Sequence, residues 1–297
     1  MKTYLLLFLS FLFLILSCKE KLENKEQLES KTKEIKSTKA ANVSFLEAPL
    51  SVTNLKGEKV LRAIWLYLPP NYYSSKEKYA VIYMHDAQNL FDNKTSFVGE
   101  WEIDETLNTL YQKTKKGFIV VGINNTKERM DEYSPWIHEK YGGGNGDNYL
   151  KMIVEELKPI IDKKYRTKPT AEFTGIIGSS MGGLISFYGG LKYPEVFGKI
   201  GALSTSFWFS EKVQDFASEK GNQKNTKLYF LVGGKEGDTM VPDTENMAKL
   251  LVEKGFPKEN IQTKIVAEGK HTESFWKAEF LETITFLFNL NNERTNN

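Results

Sequence analysis

Phe173-Thr-Gly-Ile-Ile-Gly178-Ser-Ser180-Met-Gly182-Gly-Leu184 is the most informative run in the chain. Phe173 to Ile177 is a short apolar stretch with the character of a buried strand, and Leu184 to Leu191 is helical in pattern. Between them stands Gly178-x-Ser180-x-Gly182. That pentapeptide is informative when a strand leads in and a helix leads out, because the chain must then turn sharply and only small residues fit beside the turn. Ser180 projects from such a turn above the edge of a sheet. It also sits at a helix N-terminus, where backbone N–H groups and positive partial charge face any developing oxyanion. A phosphate-binding turn is the rival reading, but no G-x-x-x-x-G-K-[ST] supports it.

On either side of this run, strands are expected over Val60–Leu68, Tyr79–Met84, Phe118–Ile123, Ile200–Leu203, Leu228–Val232 and Ile261–Val266. Helices are expected over Trp101–Lys113, Asn148–Tyr165, Thr244–Lys254 and Ser274–Asn289. In the second of these Tyr149, Met152, Ile153, Leu157 and Ile160 fall on one face. Strand–helix alternation of this kind predicts an α/β fold, a mostly parallel sheet with helices on both faces. No fixed-period repeat and no Pro- or Ser-rich linker divides residues 45–297, so a single domain is expected there.

The chain has three histidines, His85, His138 and His271. In a hydrolase built on such an elbow the order is Ser, acid, His, and only His271 follows Ser180. The acid must lie between them beyond a strand end. Leu228–Val232 runs into Gly233-Gly-Lys-Glu236-Gly-Asp238, so Glu236 and Asp238 both qualify, with Glu236 preferred. His85 opens an early loop, His85-Asp86-Ala87-Gln88-Asn89. A backbone N–H from Asp86 or Ala87 is the expected second oxyanion donor beside that of Met181, and His85 is expected to fix this loop by hydrogen bonding. No set of His and carboxylates stands at a zinc spacing, so no metal is expected.

Three separated motifs carry a resemblance. Tyr83–Asp92 (YMHDAQNLFD), Gly178–Gly183 (GSSMGG) and Gly269–Trp276 (GKHTESFW) together look like the esterase family of α/β-hydrolases. That family includes enterochelin-type siderophore esterases and feruloyl or acetyl-xylan esterases. Arg129–Trp136 resembles a further stretch found in it, and the likeness spans roughly residues 50–290. It implies an α/β-hydrolase fold and a serine carboxylester hydrolase that needs no cofactor. The family's nucleophile falls on Ser180 and its histidine on His271, and its acid best matches Glu236. Small-molecule or carbohydrate esters are the implied substrates. Arg129, Trp136 and Trp208 are candidate substrate contacts, as an anion partner and as aromatic walls or platforms. A glycan- or siderophore-binding lipoprotein on the same scaffold, or an acyltransferase, would carry the same motifs.

Of the 297 residues 40% are hydrophobic and 26% charged, which excludes a multispanning membrane protein and a wholly disordered chain. Lys plus Arg total 40 against 38 acidic residues, too even a balance to point to nucleic acid. The lone cysteine, Cys18, excludes a disulfide framework. It ends the apolar run Tyr4–Leu16, which is too short to span a bilayer and suits a signal-peptide core. Ile15-Leu-Ser-Cys18 resembles a bacterial lipobox. The resemblance implies a lipoprotein signal peptide over 1–17, lipidation of Cys18, and a lipid-anchored location in the cell envelope. Residues 18–44 are polar and charged and are expected to form a tether.

Overall fold

The computed structural model describes residues 36–290. The expected signal peptide, Cys18 and most of the expected tether lie outside them. The compact unit begins at Thr38, ahead of the expected boundary at 45. Residues of this first stretch bond to the domain: the Ala40 N–H donates to Asp104 Oδ2 at 2.8 Å and Asn42 Nδ2 to Leu68 O at 2.7 Å.

The strands are β1 Val43–Phe45, β2 Leu50–Thr53, β3 Lys59–Arg62, β4 Ile64–Tyr67, β5 Ala80–His85, β6 Phe118–Ile123, β7 Ile137–His138, β8 Gly142–Gly143, β9 Thr174–Ser179, β10 Lys199–Leu203, β11 Lys227–Gly233 and β12 Ile261–Val266. The helices are α1 Ile103–Thr114, α2 Arg129–Glu132, α3 Gly146–Lys151, α4 Lys158–Lys164, α5 Met181–Lys192, α6 Lys212–Lys220, α7 Met240–Glu253 and α8 Glu273–Leu287. Eight strands form one sheet in the order β1-β4-β6-β5-β9-β10-β11-β12. The pairs β1–β4 and β4–β6 are antiparallel and the remaining pairs are parallel. The mostly parallel sheet read from the sequence is therefore present.

Alternation along each strand builds the two cores. Val81 and Tyr83 face one way and join α3, α5, α6 and α7; Ile82 and Met84 face the other and join α1 and α8. Strands covered on both faces read as unbroken apolar runs, which is why β5, β6 and β9 were visible as such. Residues 181–191 of α5 are all buried, so this helix lacks the polar stripe of a surface helix.

Several boundaries differ from expectation. The stretch 60–68 is two strands: β3 pairs with β2 in a hairpin while β4 enters the main sheet. The break follows Arg62, whose side chain is fully buried in an ion pair with Glu132. The helix expected over 148–165 begins at Gly146 and passes through a π segment at Met152–Leu157 before α4. Pro159, which cannot donate a backbone hydrogen bond, stands just past that wide turn. Helix α6 was not foreseen. Among the described residues no helix is long and apolar enough to cross a membrane.

Strand order reverses at β5. From there the chain passes to β6 on one side, and later to β9 on the other. The crevice at the carboxyl ends of β5 and β9 is thus the topological switch point, the place where open parallel sheets bind ligands. Asp86 follows β5 and Ser180 follows β9.

Candidate active site

Ser180 occupies φ 58°, ψ −123°, between the last residue of β9 and the first of α5. L residues seldom adopt that region. The turn is held by the Ser180 N–H donating to Leu203 O at 2.9 Å and the Ser206 N–H to Ser180 O at 3.2 Å. A Cβ at position 178 would lie 2.5 Å from Gly182 O, and one at 183 would lie 2.8 Å from Thr205 Oγ1. Gly178 and Gly183 are therefore the positions that the tight turn requires. The Met181 N–H opens α5, among the donors that a helix leaves unpaired within itself.

Ser180 Oγ lies 3.3 Å from Ser206 Oγ. His271 lines the same cavity of about 310 Å³, together with Asp86, Arg129 and Glu273. Its Nδ1 contacts Glu236 Oε2 at 2.9 Å. Glu236 is fully buried at its side chain, and its Oε1 accepts from Ser204 Oγ at 2.7 Å and from the Gly233 N–H at 2.8 Å. Trp276 Nε1 in turn donates to Ser204 Oγ at 2.8 Å, and its ring meets His271 edge-on. The two loops are joined through their backbones: the Gly234 N–H donates to Val266 O at 2.8 Å and the Lys235 N–H to Gly269 O at 2.9 Å. Of the two candidate acids, Glu236 is the one that touches His271; Asp238 is exposed.

The loop after β5 is clamped from several sides. Asp86 has φ 57°, and its carboxylate takes Arg129 Nε at 2.8 Å and Nη2 at 2.9 Å. Asn125 Nδ2 donates to Asp86 Oδ1 as well. Burial alone would raise the Asp86 carboxyl, but Arg129 and Asn125 outweigh it and hold it below the usual carboxylate range. The Asp86 N–H donates to Tyr133 Oη at 3.3 Å, while Ala87 opens a short 3-10 turn over Ala87–Asn89. Beneath this loop His85 Nδ1 meets Tyr149 Oη at 2.7 Å, the hydrogen bond expected of it. Complete burial pushes the His85 imidazole down to about 4, so it is neutral at neutral pH.

The proposed substrate contacts divide. Arg129 lines the cavity, but two of its nitrogens are spent on Asp86. Trp136 packs edge-on against Tyr188 and Phe216. Trp208 is 46% exposed and lines a different groove, between α6 and α7. Sequence reasoning missed Ser204, Ser206 and Glu273. It also missed Phe97 and Val98, which line the cavity yet stay more than half exposed at 68% and 57%. Burial raises the Glu273 carboxyl. Serines and an isolated loop Phe carry no spacing signal that would have marked them. Among the described residues one group, Glu100, Asp104 and Glu105, offers three oxygen ligands within 4.8 Å of one another. It stands beside the first turn of α1, where carboxylates meet helix N-terminal donors, and outside the cavity.

The switch-point crevice, the strand–turn–helix elbow and the loop histidine define an α/β-hydrolase. Residues 60–287 match the family described as "Putative esterase", and the chain belongs to that family of ester hydrolases. It is 28% identical over 244 residues to the uncharacterized protein YbbA of Bacillus subtilis, covering 77% of this chain and 94% of that one. It is 28% identical over 213 residues to an endo-1,4-beta-xylanase/feruloyl esterase of Xylanibacter ruminicola, covering 69% of this chain and 26% of that protein. The crystal structure of the enterobactin esterase FES from Shigella flexneri superposes with a TM-score of 0.67 at 17% identity, over 85% of this chain and 61% of that one.

Proposed function

We propose that the chain hydrolyses carboxylic esters through a Ser180–His271–Glu236 triad and an acyl-enzyme. The observation that carries this is the Glu236–His271 contact, whose ring shares one cavity with Ser180. An ionised carboxylate only accepts, so Glu236 keeps the imidazole proton on Nδ1 and leaves Nε2 as the base. A turn of the Ser180 hydroxyl from Ser206 toward His271 starts the reaction. Oγ attacks the ester carbonyl as Nε2 takes its proton. The N–H groups of Met181 and Ala87 bind the oxyanion; Ala87 is preferred because the Asp86 N–H is given to Tyr133. The tetrahedral intermediate collapses, the alcohol leaves with the proton from His271, and water repeats the sequence to free the acid.

Phe97, Val98, Trp101 and Trp276 give the cavity an apolar side suited to an aromatic acyl group. Feruloyl esters and enterobactin appear in the names of the similar proteins, which supports carbohydrate-linked or siderophore esters as substrates. The test is turnover of p-nitrophenyl acetate, methyl ferulate, acetylated xylan and a ferric catecholate triester, beside Ser180→Ala. Ser180-dependent turnover and fluorophosphonate labelling of Ser180 are expected. Full activity in Ser180→Ala, or neither turnover nor labelling in the folded wild type, would overturn the assignment. We also propose that the mature chain is anchored to the cell envelope through lipidated Cys18. Metabolic labelling with a fatty-acid analogue should mark the wild type and not Cys18→Ser.

A further inference from the structure

A second concavity, lined by Phe207 and Trp208, starts one residue along the chain from Ser206. Ser206 touches Ser180, and two residues later Trp208 stands on the 3-10 turn Phe207–Phe209. Its Cα is thus no more than about 7.6 Å from that of Ser206. The indole is 46% exposed, yet it is held in place. Tyr141 meets it edge-on with ring centres 5.7 Å apart, and His138 does so at 6.1 Å. A large aromatic face fixed by its neighbours loses little freedom when a ligand covers it.

From Trp208 a groove of about 510 Å³ runs between α6 and α7. Buried Phe207 and Met247 contribute apolar atoms to it. Its polar groups are Glu211, Gln214, Asp243, Asn246, Lys249 and Glu253. Lys249 pairs with Glu253 at 3.8 Å, so among the described residues Glu211 and Asp243 are the lining charges with no ion pair. An anionic ligand such as a catecholate is repelled here, and so is a nucleic-acid phosphate. A purely apolar chain would strand the amides and carboxylates without partners. A sugar ring satisfies both features. One face carries C–H groups that pack on an indole π-face, and its hydroxyl rim both donates to carboxylates and exchanges bonds with amides.

We propose that the groove between α6 and α7 binds a neutral oligosaccharide, with one ring stacked on Trp208, as the alcohol part of the ester that Ser180 attacks. This rests on the catalytic reading above, and it favours carbohydrate-linked over ferric-catecholate esters. Calorimetric titration of the full chain with xylohexaose, cellohexaose, mannohexaose, hexagalacturonate and hexalysine tests it. At least one neutral hexasaccharide is expected to bind, and hexagalacturonate is not. Trp208→Ala should weaken the neutral ligand about tenfold or more, while Trp208→Phe should retain most of the affinity. Melting curves of both variants report whether the fold is intact, and Gln214→Ala provides a second, milder loss. Absence of binding by all three neutral sugars overturns the proposal, as does affinity indifferent to Trp208→Ala. Binding of hexalysine alone overturns it in favour of a basic peptide. Because binding is read without turnover, its failure is separable from that of the catalytic reading. Sugar bound by a protein that lacks Ser180-dependent hydrolysis would sink the triad and leave the groove.

Discussion

His271 Nδ1 lies 2.9 Å from Glu236 Oε2, while the other oxygen of the same carboxylate is held by Ser204 and Gly233. A carboxylate this fully engaged has one orientation to offer the histidine. Glu236→Gln presents an amide N–H or a neutral oxygen there and disturbs the tautomer. We expect kcat to fall about 10²–10⁴-fold with a much smaller change in KM. Asp238→Asn, at an exposed position, should stay within about twofold. Steady-state kinetics on p-nitrophenyl acetate distinguish the two. Equal losses would return the choice of acid to the open state in which the sequence leaves it.

In the proposed mechanism Arg129 acts on the chemistry through Asp86, with which it is paired. Removing it in Arg129→Met leaves the Asp86 carboxylate without its ion-pair partner and releases the backbone turn that precedes Ala87. The expected result is a fall in kcat of about tenfold or more, short of the roughly 10²–10³-fold cost of losing an oxyanion donor outright. Arg129→Lys should not restore it, because an ammonium cannot reproduce the two parallel bonds of Nε and Nη2. If Arg129→Met raised KM alone, Arg129 would be a substrate contact instead.

Arg62 and Glu132 form a two-bond pair, at 2.9 and 2.6 Å, with both side chains out of solvent. Breaking it by Glu132→Gln should destabilise the fold by about 3–5 kcal/mol, since a buried guanidinium is left uncompensated. The double change Arg62→Met with Glu132→Leu should recover much of that loss. Urea denaturation of the wild type and the two variants checks the ordering.

Burial holds the His85 imidazole at about 4 against its ordinary 6.5. Between these values the unfolded chain takes up a proton that the folded one refuses. Stability is therefore complete above about pH 6.5 and falls as the pH drops toward 4, by about 3 kcal/mol from this group. Denaturant midpoints measured from pH 7 down to pH 4 should show that slope, and His85→Asn should flatten it while lowering stability overall. An unchanged slope in that variant would assign the acid lability elsewhere.

What the sequence disclosed follows the range of the interaction involved. The elbow at Ser180 is local, because strand, turn and helix declare themselves in a dozen consecutive residues. His271 was selected by elimination among three histidines, and it lines one cavity with Ser180; the proposed oxyanion loop was selected by its position after β5. Nothing local marks Arg129 as the partner of Asp86, since the pairing exists only after β5 and α2 are brought together. Nor does spacing show that Ser204 bonds to Glu236 and Ser206 touches Ser180. Trp136 and Trp208 look alike as loop aromatics, yet one packs on Tyr188 and the other faces solvent; only tertiary packing separates them. Helix α6 lacks a strong apolar stripe, with Val213 and Ala217 its buried residues, so its periodicity was too faint to read.

The backbone at Ser180, φ 58° and ψ −123°, sets a limit on how this protein can be improved. A non-glycine residue in such a region stores roughly 1–3 kcal/mol, and glycine would release most of it. Ser180→Gly is therefore expected to stabilise the fold while removing the proposed nucleophile. A library selected for melting temperature alone would enrich dead molecules at this position, so thermostability here has to be sought at sites remote from the elbow, under a simultaneous demand for turnover.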